Sequence, residues 1–247
     1  MRIAVAGGTG TIGRLVVDAA RSRGDDPRVL ARSQGVDVVA GSGLSAALDG
    51  ADVVVDVLNA PTTQAEPARR FFSVAALNIV RAADEVGVRR IVCLSIVGLP
   101  RVSAYGYYAA KLAQEAAYRE GPVPVSMVRS TQWHEFVDQL LDLGRRGPVA
   151  AIPRMRVQPV AAASVAEVLV DVAAADVGGE LLEVAGPQLE EMPDLARRRL
   201  RQRGMRTRVV PVPFPGAGKP VREGALVPGA DARLVGPTYD AWARTHP

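Results

Sequence analysis

Short apolar runs alternate with helix-like spacings along the first part of this chain. Residues 2–6 (RIAVA) form a continuous apolar run that stops at Gly7, which is typical of a strand buried on both faces of a sheet. In residues 11–23 the apolar positions recur every three or four residues up to Gly24, and this spacing predicts an amphipathic helix. The chain therefore begins as a buried strand followed by a helix.

The same alternation continues up to Gly144. Further strands are predicted over residues 28–31, 36–39, 52–58, 90–96 and 124–129. Helices are predicted over residues 67–86, 105–119 and 132–143. Strands that alternate with crossover helices predict the α/β class, with a doubly wound parallel sheet and helices on both of its faces.

The pattern changes after Gly144. A strand over 155–160, a helix over 164–175, a strand over 180–184 and a helix over 193–203 are predicted there. Residues 211–237 hold six prolines and five glycines, which predicts an irregular segment without a regular helix. Tyr239 and Trp242 then indicate a docked terminal turn. We expect a first domain over 1–150 and a smaller α+β lobe over 151–247, without a flexible linker.

A glycine-rich loop, residues 7–13 (GGTGTIG), joins the first strand to the first helix. Its glycines fit both the G-x-G-x-x-G and the G-x-x-G-x-x-G spacing. Such glycines turn the chain tightly, let the backbone approach a pyrophosphate, and let the helix N-terminus face its charge. The loop predicts a Rossmann-type dinucleotide site in residues 1–150. The loop residues predicted to contact the dinucleotide are Gly7, Thr9, Gly10, Thr11, Ile12 and Gly13.

The end of the second strand bears on which dinucleotide binds. An acidic residue there would bind the ribose hydroxyls of NAD, but Arg32 and Ser33 follow that strand instead. A guanidinium can hold a 2′-phosphate, and Arg14 is a second candidate for this contact. We therefore predict NADP as the cofactor, with NAD as the alternative.

Three residues carry the predicted reaction chemistry. Ser95 lies near the carboxyl end of a strand, and Tyr107 and Lys111 are four residues apart on one helix face. An ammonium beside a phenol favours the phenolate and lowers its pKa from about 10. Tyr107 can then exchange a proton with a carbonyl oxygen that Ser95 polarises, while Lys111 also holds the ribose. Tyr108, three residues from Lys111, is an alternative acid–base residue.

Several motifs together resemble a known family. GGTGTIG, LNA after the fourth strand, LSIVG, YYAAK and RSTQWHEF are similar to the atypical short-chain dehydrogenase/reductases of the NmrA-like NAD(P)H-binding branch. The later segments VQPVAAASVAEVL and LLEVAGP also resemble that branch, so the likeness extends over nearly the whole chain.

The resemblance implies a Rossmann-type domain, a smaller C-terminal substrate lobe and an NADP(H) or NAD(H) cofactor. It places Asn59 and Ala60 beside the nucleotide ribose and Ser95, Tyr107 and Lys111 at the reaction centre. Gly41–Ser42 departs from the Gly-Asp pair that many relatives place against adenine. The branch also includes members that bind the dinucleotide without turning over a substrate.

Candidate substrate contacts follow the later strands. Trp133 and Phe136, three residues apart on a predicted helix, can line one wall of a cleft, and the proline-rich segment 211–228 can close over a ligand. His134 is interpreted as structural. An apolar pocket of this kind suits a small carbonyl, enone or quinone. The residues predicted to contact the substrate are Ile96, Tyr108, Trp133, Phe136 and Met155.

The amino-acid composition narrows the remaining classes of function. One cysteine and two distant histidines indicate neither a disulfide framework nor a metal site. All but two of the thirty basic residues are arginine, so the net charge of +4 is weak evidence for nucleic acid. The basic run 197–208 is interpreted as a solvated helix face. Neither a secretory signal nor a membrane span is apparent, which predicts a cytoplasmic monomer or homodimer that binds a small molecule.

Three functions compete on the sequence alone. The first is an NADP-dependent reductase or dehydrogenase of a small apolar carbonyl compound. The second is a redox-sensing regulatory protein that binds NAD(P) without turnover. The third, a nucleic-acid binder acting through residues 197–208, predicts a steep salt dependence. A hydrolase is disfavoured because the chain has no G-x-S-x-G motif.

Overall fold

The computed structural model describes residues 1–175 and 179–246. The strands are β1 (Arg2–Ala6), β2 (Asp26–Leu30), β3 (Val53–Asp56), β4 (Arg90–Ile96), β5 (Val125–Ser130), β6 (Arg145–Arg146), β7 (Val149–Pro153), β8 (Arg156–Val157), β9 (Leu181–Ala185), β10 (Glu190–Glu191), β11 (Arg208–Val212) and β12 (Arg233–Leu234). The α-helices are α1 (Thr11–Ser22), α2 (Leu44–Leu48), α3 (Ala65–Glu85), α4 (Gly106–Arg119), α5 (Phe136–Gly144), α6 (Ala162–Ala174), α7 (Met192–Gln202), α8 (Gly218–Arg222) and α9 (Tyr239–Thr245). Among the described residues, no helix has the length and apolar character that crossing a bilayer requires.

The central sheet has seven parallel strands in the order β12-β9-β5-β4-β3-β1-β2. Strand β1 pairs in parallel with β2 on one side and with β3 on the other. The strand order therefore switches sides at β1, because the chain adds β2 on one side of β1 and then β3 on the other. Ligands of doubly wound sheets bind at such a switch point, outside the carboxyl ends of the strands. The predicted α/β Rossmann-type fold is confirmed.

The apolar runs of the sequence are the buried strands of this sheet. Every residue of β3 is buried, as are four of the five residues of β1. Side chains of β1 and β4, such as Ala4 and Ile91, pack with Ile79 of α3 and Tyr118 of α4 in one hydrophobic cluster. Strands covered on both faces need continuous rather than alternating apolar sequences, which explains the pattern.

The chain forms two compact units that interleave along the sequence. The first unit contains residues 1–95, residues 106–129 and the described part of 165–182. The second contains residues 96–105, residues 130–164 and the described part of 183–247. The predicted division at residue 150 concerns what each part binds, and it stays a prediction.

The strand predicted over 36–39 is wrong. The Asp37 carboxylate accepts hydrogen bonds from the backbone N–H groups of Val39 and Ala40, which folds this segment into a turn. An aspartate commonly stabilises a turn in this way, and the apolar neighbours that suggested a strand do not prevent it. Asp37 forms an isolated bridge with Ser42, and the short helix α2, absent from the sequence prediction, follows.

The second unit departs further from the predicted pattern. Instead of one strand over 155–160, the chain forms β7 and the two-residue strand β8. The helix predicted from residue 132 begins at Phe136. The first two residues of the proline-rich segment complete the edge strand β11, which pairs with β7, and the short helix α8 corrects the prediction that this segment holds no regular helix. Pro211 is tolerated in β11 because an edge strand leaves one side of its backbone unpaired.

The terminal turn docks as predicted, in the form of α9. Tyr239 and Trp242 are only 2% and 5% exposed, and both rings contact the buried ring of His134. Nε2 of His134 lies 3.2 Å from the carbonyl oxygen of Pro237. Burial lowers the pKa of His134 to about 4, although the hydrogen bond with Pro237 opposes this change. This environment is that of a neutral structural histidine.

Candidate active site

The glycine loop follows β1 in a tight turn. Gly7 has a φ of +84°, a value that favours glycine, and its carbonyl accepts a hydrogen bond of 2.9 Å from the N–H of Gly10. The N–H of Arg14 then bonds the carbonyl of Gly10, which starts α1. No side chain caps this helix, and its first turn holds no acidic residue. The N-terminus of α1 thus presents bare backbone, as an anion site requires.

Two glycines of the loop are required by different backbone contacts. A Cβ on Gly13 would lie 2.1 Å from the carbonyl oxygen of Gly7, so helix and loop touch there. A Cβ on Gly7 would meet the backbone of Val57, just after β3, at 3.0 Å. Thr9, Gly10 and Thr11 are exposed. A compact loop with an exposed tip at the sheet's switch point fits a dinucleotide diphosphate.

The predicted adenosine side lies at the end of β2. Arg32 and Ser33 are exposed in a short 3-10 turn that follows this strand. Hydrogen bonds from the backbone of Ala40 and Val39 lower the pKa of Asp37, and the charge of Arg32 adds to this effect. Arg32 therefore lies near Asp37, in the segment that replaces the predicted third strand.

Tyr107, the second residue of α4, is half-buried. Its hydroxyl donates a hydrogen bond of 2.5 Å to Oδ1 of Asn59, an exposed residue that follows β3. The Phe72 ring of α3 packs edge-on against the Tyr107 ring with centroids 5.8 Å apart. The next residue, Tyr108, is only 7% exposed. The structure thus brings together Tyr107 and Asn59, which the sequence assigned to chemistry and to the ribose.

Lys111 is buried one turn further along α4. Its ammonium is 4.8 Å from the centroid of the Phe72 ring, so Phe72 contacts both Tyr107 and Lys111. The ammonium donates to the carbonyl oxygen of Leu94 at 2.9 Å and to Oε1 of Gln114 at 2.6 Å. These two bonds leave one of its three N–H groups for a ligand.

Ser95 is 1% exposed, and its hydroxyl donates a 2.6 Å hydrogen bond to Oε1 of Glu115. The Glu115 carboxylate also accepts two hydrogen bonds from Arg129 and one from Arg119. Burial favours a higher pKa for Glu115, but the hydrogen bonds from Arg129 and Ser95 and the two guanidinium charges hold it below its usual value. We call Ser95, Glu115, Arg119 and Arg129 the Glu115 network.

Asp56, at the end of β3, is fully buried beside this group. It accepts hydrogen bonds from the Leu58 N–H, from Nε2 of Gln114 and from the Tyr118 hydroxyl. Burial and the charge of Asp56 raise the pKa of Tyr118 well above its usual value, so Tyr118 stays a hydrogen-bond donor. We call Asp56, Lys111, Gln114 and Tyr118 the Asp56 network.

Sequence reasoning missed most of these supporting residues. Asp56 is the one acidic residue in the otherwise apolar segment 53–58, a sign of a partnered buried charge. Gln114 and Glu115 follow Lys111 by three and four residues, the spacing that places side chains on one helix face. These sequence signals mark buried polar residues, but their hydrogen-bond partners come from distant positions of the chain.

The other predicted substrate residues lie in the second unit, apart from Tyr108. Ile96, Trp133 and Phe136 are half-buried there, and Nε1 of Trp133 donates to the Ser130 hydroxyl. Met155 is fully buried, so it offers no accessible surface in this arrangement. Their contacts with a substrate stay predictions.

The proline-rich segment is anchored within the second unit. The Arg101 guanidinium donates to the carbonyl oxygens of Ala225 and Val227, at 2.9 and 2.8 Å. A Cβ on Gly98 would collide with the Ala225 carbonyl oxygen, so backbone packs on backbone. Closure of residues 211–228 over a ligand stays a prediction.

The amino-acid sequence also matches a known protein family. Residues 7–176 match the model of a protein family described as NAD(P)H-binding, which is more than half of the chain. The chain belongs to this NAD(P)H-binding family. Its membership confirms the predicted resemblance and the predicted class of cofactor. The bare helix N-terminus and the close packing at Gly13 fit the pyridine dinucleotide that the family binds.

A known protein that is similar over part of this chain is named as an assembly factor. The Photosystem II assembly factor Ycf39 of Synechocystis sp. is 33% identical over 111 residues. That alignment covers 39% of this chain and 34% of the relative, so the match spans about a third of the relative's length.

Solved structures share the fold over nearly the whole chain. A dTDP-4-dehydrorhamnose reductase from Bacillus anthracis, in complex with NADP, has a TM-score of 0.77 and 15% identity over 98% of this chain and 96% of its own. An NADPH-dependent quinone oxidoreductase from Escherichia coli, with NADPH, has a TM-score of 0.72 and 17% identity over 99% of both chains. At these identities the likeness shows a common fold.

Proposed function

We propose that this protein is an NADPH-dependent oxidoreductase that reduces a small apolar carbonyl, enone or quinone. The observation that carries the proposal is the half-buried Tyr107 hydroxyl, held by Asn59 beside the buried Lys111 face of α4. A phenol at the carboxyl edge of a dinucleotide-binding sheet is placed where an acid–base group is needed.

Binding is assigned to the glycine loop and its neighbours. Backbone N–H groups at the tip of residues 7–13 hold the diphosphate, helped by the partial positive charge of the α1 N-terminus. Arg32 and Ser33 receive the 2′-phosphate, which favours NADP over NAD. Asn59 and Ala60 lie beside the ribose, and the free N–H of Lys111 holds a ribose hydroxyl.

The reaction is divided between cofactor and protein. When bound, the nicotinamide supplies hydride. Tyr107 holds a proton at its phenol oxygen and passes it to the substrate oxygen, and the nearby Lys111 charge stabilises the phenolate that remains. Asn59 keeps the Tyr107 hydroxyl oriented until the substrate oxygen replaces it.

Ser95 matches its predicted catalytic role less closely than Tyr107 and Lys111 do, because its single hydroxyl proton is donated to Glu115. A hydroxyl has one donor hydrogen, so polarising a substrate oxygen requires that the Ser95–Glu115 bond opens. Ser95→Ala tests this role. A loss of turnover similar to that of Tyr107→Phe supports direct participation, whereas a small loss assigns Ser95 to the buried support of the site.

The experiment for the proposal follows the hydride itself. NADPH deuterated at nicotinamide C4 is incubated with the protein and a panel of apolar aldehydes, ketones, enones and quinones. Mass spectrometry of the products is expected to show the label on the reduced carbon for a carbonyl or enone, together with NADP⁺ formation. For a quinone, stoichiometric NADPH oxidation is the readout, since its oxygen-bound label exchanges with water.

A second function is favoured by a specific observation. Ser95 and Lys111 are both buried and hydrogen-bonded to protein groups, as in a protein that binds the dinucleotide without turnover. The similarity to a protein named as an assembly factor points the same way. This alternative predicts tight NADPH binding, no label in any product, and Tyr107→Phe without consequence.

A further inference from the structure

The Asp56 network forms a hydrogen-bonded chain that starts at Lys111. The Lys111 ammonium donates to Oε1 of Gln114, and Nε2 of Gln114 donates to Oδ2 of Asp56, each at 2.6 Å. The Tyr118 hydroxyl donates to the same carboxylate oxygen at 2.6 Å. Lys111 is 4% exposed, and Asp56, Gln114 and Tyr118 are fully buried. A buried ammonium and a buried carboxylate are thus joined through one amide.

The direction of every bond in this chain is fixed by chemistry. An ammonium can only donate and a carboxylate can only accept, so the Gln114 amide has one orientation that satisfies both neighbours. Tyr118 keeps its proton because burial and the Asp56 charge raise its pKa, and it therefore donates as well. Reversing the Gln114 amide would place two donors face to face at Lys111. Lys111 and Asp56 consequently require the same orientation of Gln114, and Asp56 holds Oε1 of Gln114 against Lys111.

The same carboxylate also holds the loop after β3. Oδ1 of Asp56 accepts the N–H of Leu58 at 2.8 Å, and the next residue is Asn59, which accepts the hydrogen bond of Tyr107. One side chain is therefore linked through protein groups to both Lys111 and Tyr107.

We propose that Asp56 is a positioning residue for the reaction centre, acting on Lys111 through Gln114 and on Tyr107 through the Leu58–Asn59 backbone. The inference rests on the proposed function, because it assigns Lys111 and Tyr107 to cofactor binding and proton transfer. Asp56 itself touches no reacting atom. It sets the direction of the remaining Lys111 N–H group, which the ribose needs.

Two variants test the donor–acceptor direction of this hydrogen-bonded chain and leave the side-chain shapes nearly unchanged. In Asp56→Asn, a side chain that still accepts from Leu58 turns its NH₂ group toward Gln114, so two donors face each other at residue 56 or, once the Gln114 amide rotates, at Lys111. In the double variant Asp56→Asn with Gln114→Glu, the new carboxylate accepts from both residue 56 and Lys111. The double variant moves the negative charge to residue 114 and restores the hydrogen bonds between residues 56, 114 and 111, while the Tyr118 hydroxyl turns to accept from the amide of residue 56.

The readout uses the two lysines of the chain, Lys111 and Lys219. The full-length protein is labelled with ¹⁵N,¹³C-lysine, and Lys219→Arg assigns the two ammonium signals. We expect Asp56→Asn to displace the Lys111 signal and to weaken NADPH binding about tenfold, the size of one hydrogen bond to a charged group. The double variant is expected to regain a hydrogen-bonded Lys111 ammonium and most of the affinity, while Lys219 stays unchanged throughout.

Each outcome decides the proposal. An unmoved Lys111 signal with unchanged NADPH affinity in Asp56→Asn overturns it, as does a folded double variant that recovers neither property. If Asp56→Asn does not fold, Gln114→Met removes the bridge at similar volume, and an unchanged Lys111 signal and NADPH affinity there overturn it equally. A protein that turns over no substrate refutes the proposed reductase, yet the Lys111 signal and NADPH affinity still report on the positioning.

Discussion

The glycine loop and the two buried networks, which we propose to hold the cofactor and to support the reaction centre, are built from different parts of the chain. Residues 7–13 use backbone: no side chain caps α1, and Gly13 leaves no room for even a Cβ. The Asp56 and Glu115 networks use side chains from three strands and one helix, joined by charge-assisted hydrogen bonds. A site made of backbone tolerates changes of side chain at its tip but none at its packed glycines. A site made of side chains depends on every partner.

Gly13→Ala tests the backbone half of this comparison and has the largest expected effect. The new Cβ would meet the Gly7 carbonyl oxygen at 2.1 Å, an overlap with backbone that no rotamer relieves. We expect a loss of stability above about 4 kcal/mol, a range that single substitutions reach rarely. Urea unfolding measures it. The control is Gly10→Ala, whose Cβ meets only the Gly7 carbonyl oxygen at 3.2 Å; equal losses in the two variants would contradict the account.

Glu115→Gln tests the Glu115 network, which is built from side chains. It removes the carboxylate charge that pairs with the nearly buried Arg129, and breaking a buried ion pair costs about 3 kcal/mol or more. Because the folded protein lowers the pKa of Glu115, this stabilisation is present above the usual pKa of 4.5 and is lost as the pH falls below it.

The pH dependence of unfolding therefore separates this effect from simple loss of packing. The difference in unfolding free energy between wild type and Glu115→Gln is expected to be constant near neutral pH and to shrink in acid. Glu120→Gln, an exposed residue just beyond α4, is the matched control and is expected to change stability by less than about 0.5 kcal/mol. A difference that does not depend on pH would argue against the ion pair.

The same contrast explains how much could be predicted from sequence. The glycine loop depends on spacing within seven residues next to an apolar run, so both the loop and the fold class could be predicted. Asp56 meets Gln114, and Arg129 meets Glu115, only after β3, α4 and β5 have packed, and no local pattern contains both members of either pair. The turn at Asp37 was missed for a related reason: one side-chain carboxylate outweighs the strand preference of its apolar neighbours.

Arg32→Glu has a smaller expected effect and tests cofactor choice. If Arg32 binds the 2′-phosphate, the substitution should weaken NADPH binding about tenfold or more while NADH binding changes little. Isothermal titration with both nucleotides measures the ratio. Arg21→Glu carries the same change of charge to the far end of α1 and is expected to leave the ratio unaltered. Equal weakening of NADPH and NADH in Arg32→Glu would remove the 2′-phosphate assignment.

The most direct test of the central claim is the single-turnover rate at which enzyme-bound NADPH reduces an accepted carbonyl or quinone substrate, compared between Tyr107→Phe and Tyr108→Phe. Tyr107→Phe is expected to bind NADPH as tightly as wild type but to react about 10²- to 10⁴-fold more slowly, the contribution of one acid–base group. Tyr108→Phe should react at nearly the wild-type rate. A Tyr107→Phe variant as fast as wild type, or a wild-type protein that binds NADPH and never oxidises it, would contradict the account.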